Sequence, residues 1–310
     1  IQANYKKGES LSAGRVQSVV NRIVIEREVE IKKFEKKDYY NISGNLDYKG
    51  NNIEIKYDKK VNKVEDNYTI LELTKTKDFI ITKIEKKEKK EKAKAPFITS
   101  SLQQDAYNKL GMNSKKSMLI AQKLYEAGLI TYMRTDSINI SKEALEDIKK
   151  EILKCYGEKY YNNNTFKTKT KNAQEAHECC RVTNIELHEL NNDYDSDLKR
   201  LYSLIWKKTI SSQMTDLKKE VLEIKISLDK YIFIATNERI LFEGFMKIYN
   251  IVDKNRDILQ ELKEKTKLDF KDLISEAKFT KAEARYNDAS LVQKLEKLGI
   301  GRPSTYSNMV

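Results

Sequence analysis

The stretch Gly128-Leu129-Ile130-Thr131-Tyr132-Met133-Arg134-Thr135-Asp136-Ser137 opens where a helical pattern stops and carries the most chemically suggestive pair in the chain. Glycine is the usual residue just past a helix end. The apolar and β-branched run behind it predicts a strand over 129–134. In an extended strand, residues two apart share a side, so Tyr132 and Arg134 would face the same ligand. A tyrosine hydroxyl can attack a phosphodiester and hold the broken strand covalently. An adjacent guanidinium suits the charge that develops on the phosphate. Thr135, Asp136 and Ser137 add hydrogen-bonding groups. By spacing alone, a Tyr two residues before an Arg is an ordinary strand pair.

Upstream of this stretch the pattern is helical. Residues 102–110 form a short helix closed by Gly111. A second runs over 115–127, with Asn113 or Ser114 as its cap and Met118, Ala121, Leu124 and Tyr125 on one side. Two helices, a tight turn and a strand make a winged-helix-like layout. Downstream, 141–155 reads as a helix, 160–171 as a polar loop and 198–214 as an apolar helix holding the only Trp, Trp206. Strand-like alternation lies on both sides of this block: 40–44, 53–57 and 79–84 before it, 221–235 and 241–249 after it. One β domain interrupted by an inserted helical domain is therefore expected. The charge run 85–94, ending at Pro96, reads as a solvated linker. Helical texture returns at the two ends, over 11–34 and 289–310.

The chain has 310 residues, with Lys and Arg exceeding Asp and Glu by 59 to 47, a net charge of +12 and a pI near 9.2. This favours a polyanionic partner, nucleic acid before an anionic membrane, although a Lys- and Asn-rich composition also accompanies an AT-rich genome. No run reaches the roughly 20 apolar residues of a membrane-spanning helix. Cys155, Cys179 and Cys180 include no C-x-x-C pair, which argues against a zinc ribbon and for a reducing compartment. The start at Ile1, with no initiator Met, suggests a segment of a longer chain.

Four further places bear on chemistry. His177, in Gln174-Glu175-Ala176-His177-Glu178, has Arg181 four residues on and can donate to a phosphate. His188 sits in a polar stretch that suggests no role. The acidic run Asp193 to Asp197 reads as the capped start of the following helix rather than as a cation site. Gly14 and Arg15, in the first turn of the first helix, and Gly299-Ile300-Gly301-Arg302-Pro303-Ser304-Thr305 combine flexible glycines with an Arg suited to phosphate.

Taken together, these segments resemble the type IA DNA topoisomerase family. The matching blocks are Leu11-Ser12-Ala13-Gly14-Arg15-Val16-Gln17-Ser18-Val19, the Gly128–Ser137 stretch, Gln174 to Glu178, Leu201-Tyr202-Ser203-Leu204-Ile205-Trp206 with Ser212-Gln213-Met214, and Gly299 to Tyr306. Val182 stands where the family usually has Pro, and Cys179-Cys180 where it usually has an apolar pair. The resemblance implies an α+β multidomain fold. It is part of a toroid, with a β arch (38–97 and 215–285), an inserted winged-helix-like α domain (98–214) bearing the tyrosine, and pieces of a helical base (1–37 and 286–310). It implies that Tyr132 forms a 5′-phosphotyrosine with Arg134 assisting, and that Arg15, Gln17, Ser18, His177, Arg181, Arg302, Ser304 and Thr305 contact DNA. The implied activity is ATP-independent relaxation of negatively supercoiled DNA by single-strand cleavage, passage and religation, in a monomer that would be cytoplasmic and nucleoid-associated if its source is bacterial. Its Mg²⁺ would sit on the acidic residues of a Toprim domain, for which no counterpart is visible here. No metal ligand is expected in this chain, and the segment alone is expected not to relax DNA. The competing expectation is a winged-helix DNA-binding module without catalysis.

Overall fold

The computed structural model describes residues 15–167, 177–250 and 257–310. In chain order the elements are α1 (Arg15–Lys33), β1 (Asp38–Tyr48), β2 (Asn51–Tyr57), α2 (Val64–Leu73), β3 (Phe79–Glu91), α3 (Thr99–Leu110), α4 (Ser114–Glu126), α5 (Lys142–Cys155), α6 (Ser196–Ser212), β4 (Leu217–Leu228), β5 (Tyr231–Phe242), β6 (Lys267–Phe279), α7 (Asp288–Lys297) and α8 (Tyr306–Met309). They fall into two compact units. One comprises the described residues of Ile1–Lys33, Lys94–Met214 and Glu283–Val310; the other those of Phe34–Ala93 and Thr215–Ala282.

The second unit is a closed antiparallel barrel of order β1-β2-β5-β4-β3-β6. Closure follows from the long pairing of β1 with β6, while β2 meets β5 and β3 meets β6 over two residues each. Side chains alternate in and out along β5, and the inward set, with Leu46, Ile53, Ile81, Ile224 and Phe233, is buried. Phe79 and Phe233 meet edge to face at 5.6 Å. α2, which period-based reading missed, adds the fully buried Ile70 to this core, a burial of the kind that stabilises by about 1.5–3 kcal/mol.

The segment 85–94 departs from the expected solvated linker, because β3 runs on as a strand to Glu91. β4 satisfies its backbone along that length, from Lys83↔Lys225 to Glu91↔Leu217. Its alternating charges pair rather than repel: Glu85 lies between Lys83 and Lys87, and hydrogen bonds from those two lysines hold its carboxyl at about 2. The strand expected over 241–249 also ends early. After Phe242 a 3₁₀ turn over Gly244–Tyr249 buries Phe245 and Ile248, with the Phe245 N–H donating to the Thr215 carbonyl at 2.8 Å. β6 was not anticipated from the sequence.

In the helical unit α4, α5 and α6 each start on a side-chain cap. The Asn113 side chain accepts from the Lys116 N–H at 2.8 Å and Ser141 Oγ from the Ala144 N–H at 3.3 Å. Asp195 accepts from the Asp197 N–H at 2.7 Å, so the acidic run there is a helix cap. α3 packs on α7, and α4 on α6. Val20 and Ile23 of α1 share a small core with Leu291, Val292, Leu295 and Tyr306. The Arg27 guanidinium lies 4.5 Å over the Tyr286 ring and donates to the Ala284 carbonyl. No helix among the described residues is long and apolar enough to cross a membrane.

The strand expected over 129–134 is absent. After α4 the chain enters irregular backbone whose only ladder contact is the isolated bridge Ile130↔Val182. The helix pair α3 and α4 is therefore not followed by the hairpin wing of a winged helix. Local alternation suggested extension, but one bridge is all that the neighbouring segment 179–183 offers.

A candidate active-site cleft around Tyr132

Four threonines shape the Tyr132 loop. Gly128 ends α4 at φ +70°, a conformation glycine adopts without penalty, and turns the chain out of the helix. The Thr131 N–H then donates to the Arg181 carbonyl at 2.8 Å, and Thr131 Oγ1 donates to the Cys179 carbonyl at 2.7 Å. The Thr183 hydroxyl donates to the Gly128 carbonyl at 2.7 Å. On the far side of the tyrosine, Thr99 Oγ1 donates to the Met133 carbonyl at 2.8 Å and accepts from the Thr135 N–H at 2.9 Å. The Thr99 N–H donates to the Thr135 carbonyl at 2.9 Å. Thr135 Oγ1 in turn donates to the Glu178 carbonyl at 2.8 Å. Ile130 and Met133 point into the core, both essentially fully buried. Tyr132 projects outward between them, 46% exposed, its ring edge-on to Tyr125 at 5.2 Å. Backbone clamps on both sides thus hold an outward-facing tyrosine, as a nucleophile requires.

Tyr132, Arg134, His177, Arg302 and Ser304 line one cleft of about 350 Å³, together with Thr135, Asp136 and Pro303. Arg134 is exposed and donates to the Ser304 carbonyl at 3.4 Å, so the two expected blocks meet. The 299–305 turn is set by a local hydroxyl: the Arg302 N–H donates to Thr305 Oγ1 at 2.9 Å. At Gly301, φ +90°, a Cβ would press on Met309 and the Tyr306 ring at 3.0–3.1 Å. Burial raises the Tyr306 hydroxyl above its ordinary range. Arg302 donates to its neighbour's Gly301 carbonyl at 3.0 Å and remains exposed. Two arginines and a histidine therefore share the cleft lining with one carboxylate, Asp136. A cavity of about 240 Å³ adjoins the cleft, sharing Thr135, Asp136, Arg302 and Pro303 with it.

The other expected site residues are placed differently. Arg181 is held in an internal pair with Glu178 at 2.8 Å, donates to the Val182 carbonyl and lines a separate depression beside Ser141. Burial would raise the Glu178 carboxyl, but the Arg181 bond and the Ser141 N–H outweigh it and leave it lowered. Thr305 acts on the turn and is not in the cleft lining. Ser18 lies on α1, exposed; Arg15 and Gln17 are on the same helix, but their side chains lie outside the described residues, as do Leu11 to Gly14 and Gln174 to Ala176. Thr99 carries much of the loop's shape and went unrecognised, because a threonine at a helix start is ordinary.

Asp136 is the one carboxylate that the described cleft lining offers, and Mg²⁺ is usually held through one or two carboxylates plus substrate phosphates and water.

An outward tyrosine that shares a cleft with two arginines and a histidine, in a basic protein, has the chemistry of a class that handles phosphate-bearing ligands. Comparison with known proteins gives that class its family. A family model described as DNA topoisomerase matches residues 1–310. DNA topoisomerase 1 of Rickettsia felis is 42% identical, over 96% of this chain and 42% of that protein. The Campylobacter jejuni DNA topoisomerase 1 is 40% identical over 96% of this chain and 45% of its own length. The full-length topoisomerase I structure from Thermotoga maritima superposes with a TM-score of 0.83 at 34% identity, covering 97% of this chain and 51% of that one. The chain belongs to the type IA DNA topoisomerase family and spans less than half the length of these two sequence relatives.

Proposed function

We propose that this chain supplies the strand-cleaving tyrosine and part of the DNA-binding surface of a type IA topoisomerase. Tyr132 on its clamped loop, facing Arg134, Arg302 and His177 across one cleft, is the observation that carries the reading. The Tyr132 oxygen attacks the phosphorus of a DNA phosphodiester. An O–P bond forms to tyrosine as the bond to the 3′ oxygen breaks. The phenolic proton is lost as the 3′ oxygen gains one, leaving a 5′-phosphotyrosine and a free 3′-hydroxyl. Because one ester replaces another, the step reverses without ATP. Arg134 and Arg302 are placed to offset charge on the non-bridging oxygens, and His177 to donate to the same phosphate. Arg15, Gln17, Ser18, Ser304 and Thr305 are assigned to the path of the single strand, and Arg181 to holding the 178–182 segment beneath the loop. Passage of the other strand and religation relax negatively supercoiled DNA. Mg²⁺ would be held by acidic residues outside this cleft.

The test is trapping of the covalent adduct on end-labelled single-stranded DNA with the whole enzyme. Tyr132→Phe removes one oxygen and should abolish the adduct while leaving folding unchanged. An adduct that survives would overturn the assignment.

A further inference from the structure

Outside the cleft, the fold gathers three different metal-ligating side chains that the proposed reaction does not use. Glu151 and Cys155 lie four apart on α5 and so share a face. His188 arrives from a loop 37 residues on, its Nε2 2.7 Å from Glu151 Oε1. Cys155 Sγ reaches the same oxygen at 2.9 Å. Among the described residues this is the one cluster in which three such groups converge closely enough for a shared ion.

The cluster is held from behind. Trp206 Nε1 donates to the Ile185 carbonyl at 2.8 Å, and the Tyr202 hydroxyl donates to the Leu187 carbonyl at 2.7 Å, so α6 fixes the loop just before the histidine. The His188 ring rests on Trp206 with centroids 4.6 Å apart. Glu151 is only 3% exposed, whereas Cys155 and His188 open to solvent, which gives an ion a route in and a water a place to bind. A carboxylate and an imidazole alone would make an ion pair. The thiol converging on the same oxygen adds a soft donor that an ion pair does not need.

We propose that Glu151, Cys155 and His188 form a binding site for a divalent transition ion of the zinc class, with water as the fourth ligand. Thiolate and imidazole donors favour such an ion over Mg²⁺ or Ca²⁺. Zn–N and Zn–O bonds of about 2.0–2.1 Å and a Zn–S bond of about 2.3 Å set tetrahedral ligand separations of roughly 3.3–3.6 Å. The groups must therefore spread by about 0.6 Å, which the exposed Cys155 and His188 side chains can do while Glu151 stays in place. On binding, the ion bonds Sγ, Nε2 and a Glu151 oxygen, and the Cys155 proton passes to solvent. Lys154, 3.7 Å from the other Glu151 oxygen, is mostly exposed and can swing clear. The ion would tie α5 to the segment that continues from Cys179 to Thr183, which braces the Tyr132 loop.

Cobalt(II) reads the site directly. Titrated into the reduced 310-residue chain, Co²⁺ should give a near-ultraviolet thiolate charge-transfer band saturating at a single equivalent and bleached by Zn²⁺. Cys155→Ser and His188→Ala should each abolish it. Loss of outer-shell partners alone weakens metal sites about 10–100-fold, so Zn²⁺ affinity should fall at least tenfold in either variant. In the unsubstituted chain, Zn²⁺ should also slow iodoacetamide alkylation of Cys155, a measurement that needs no variant to fold. Absence of the band, a band that persists in either variant, or alkylation of Cys155 indifferent to Zn²⁺ overturns the proposal.

Discussion

Replacing Thr99 with valine should loosen the Tyr132 loop while leaving the packing around it intact. Valine has nearly the volume and shape of threonine but no hydroxyl. The change deletes the donor to the Met133 carbonyl and the acceptor of the Thr135 N–H, both within a fully buried side-chain environment. Each buried group left unpaired costs about 1–3 kcal/mol. The Thr99 N–H still holds the Thr135 carbonyl, so that link survives. A net local loss of about 2–4 kcal/mol is expected, taking both orphaned groups near the lower half of that range. Native-state hydrogen exchange by mass spectrometry checks it. Amides of residues 131–135 should exchange at least about 30-fold faster, since every 1.4 kcal/mol is tenfold, while the barrel strands keep their protection. Thr99→Ser keeps the hydroxyl and serves as the control. If the valine variant exchanges at the serine rate, the hydroxyl is not what clamps the loop.

Arg134→Ala should lower adduct formation in the whole enzyme by about 10²–10³, the usual effect of removing a transition-state donor; its hydrogen bond to the Ser304 carbonyl, at 3.4 Å, is exposed, so an unchanged thermal midpoint is expected alongside, and equal cleavage rates would remove it from the site. Glu178 has a folded-state pKa below its usual 4.5, so its contribution is present above 4.5 and is lost as pH falls through the lower folded value; in acid titrations followed by circular dichroism, Glu178→Gln should lie below the unsubstituted chain at neutral pH and converge with it in acid, and curves that stay parallel would exclude the linkage. Asn113→Ala removes the α4 cap and should cost about 1 kcal/mol by urea denaturation, whereas Asn113→Asp should cost little. DNA affinity of the +12 chain should fall linearly on a log–log plot against salt; a flat line would mean that its charge does not meet phosphates.

Where a residue's neighbours in sequence decide its conformation, the sequence was readable. The caps at Asn113 and Asp195 and the helix stop at Gly128 depend on contacts spanning two to four residues. The β3 extension depends instead on a partner strand more than a hundred residues away, which turns a charge run that looks solvated into a paired ladder. α2 and β6 are weakly periodic, most of their residues facing solvent, so period-based reading had little to find. Within the cleft, Tyr132, Arg134 and Arg302 come from motifs that stand out as strings. The groups that set their geometry, Thr99 and the carbonyls of Cys179 and Arg181, carry no signal in their own surroundings. Arg181 shows the reverse: a string that suggests a ligand contact, in a fold that commits the guanidinium to Glu178.

The Tyr132 loop is held by bonds from Thr99 on one side and from the 179–183 segment on the other, with no helix or strand of its own. The decapeptide Gly128 to Ser137 is therefore not a portable cassette. Grafted between two elements of another scaffold it would carry the nucleophile and its arginine but none of the anchors that aim them. A transplant would have to bring three separate pieces of chain, spaced as they are here, before the tyrosine pointed anywhere in particular.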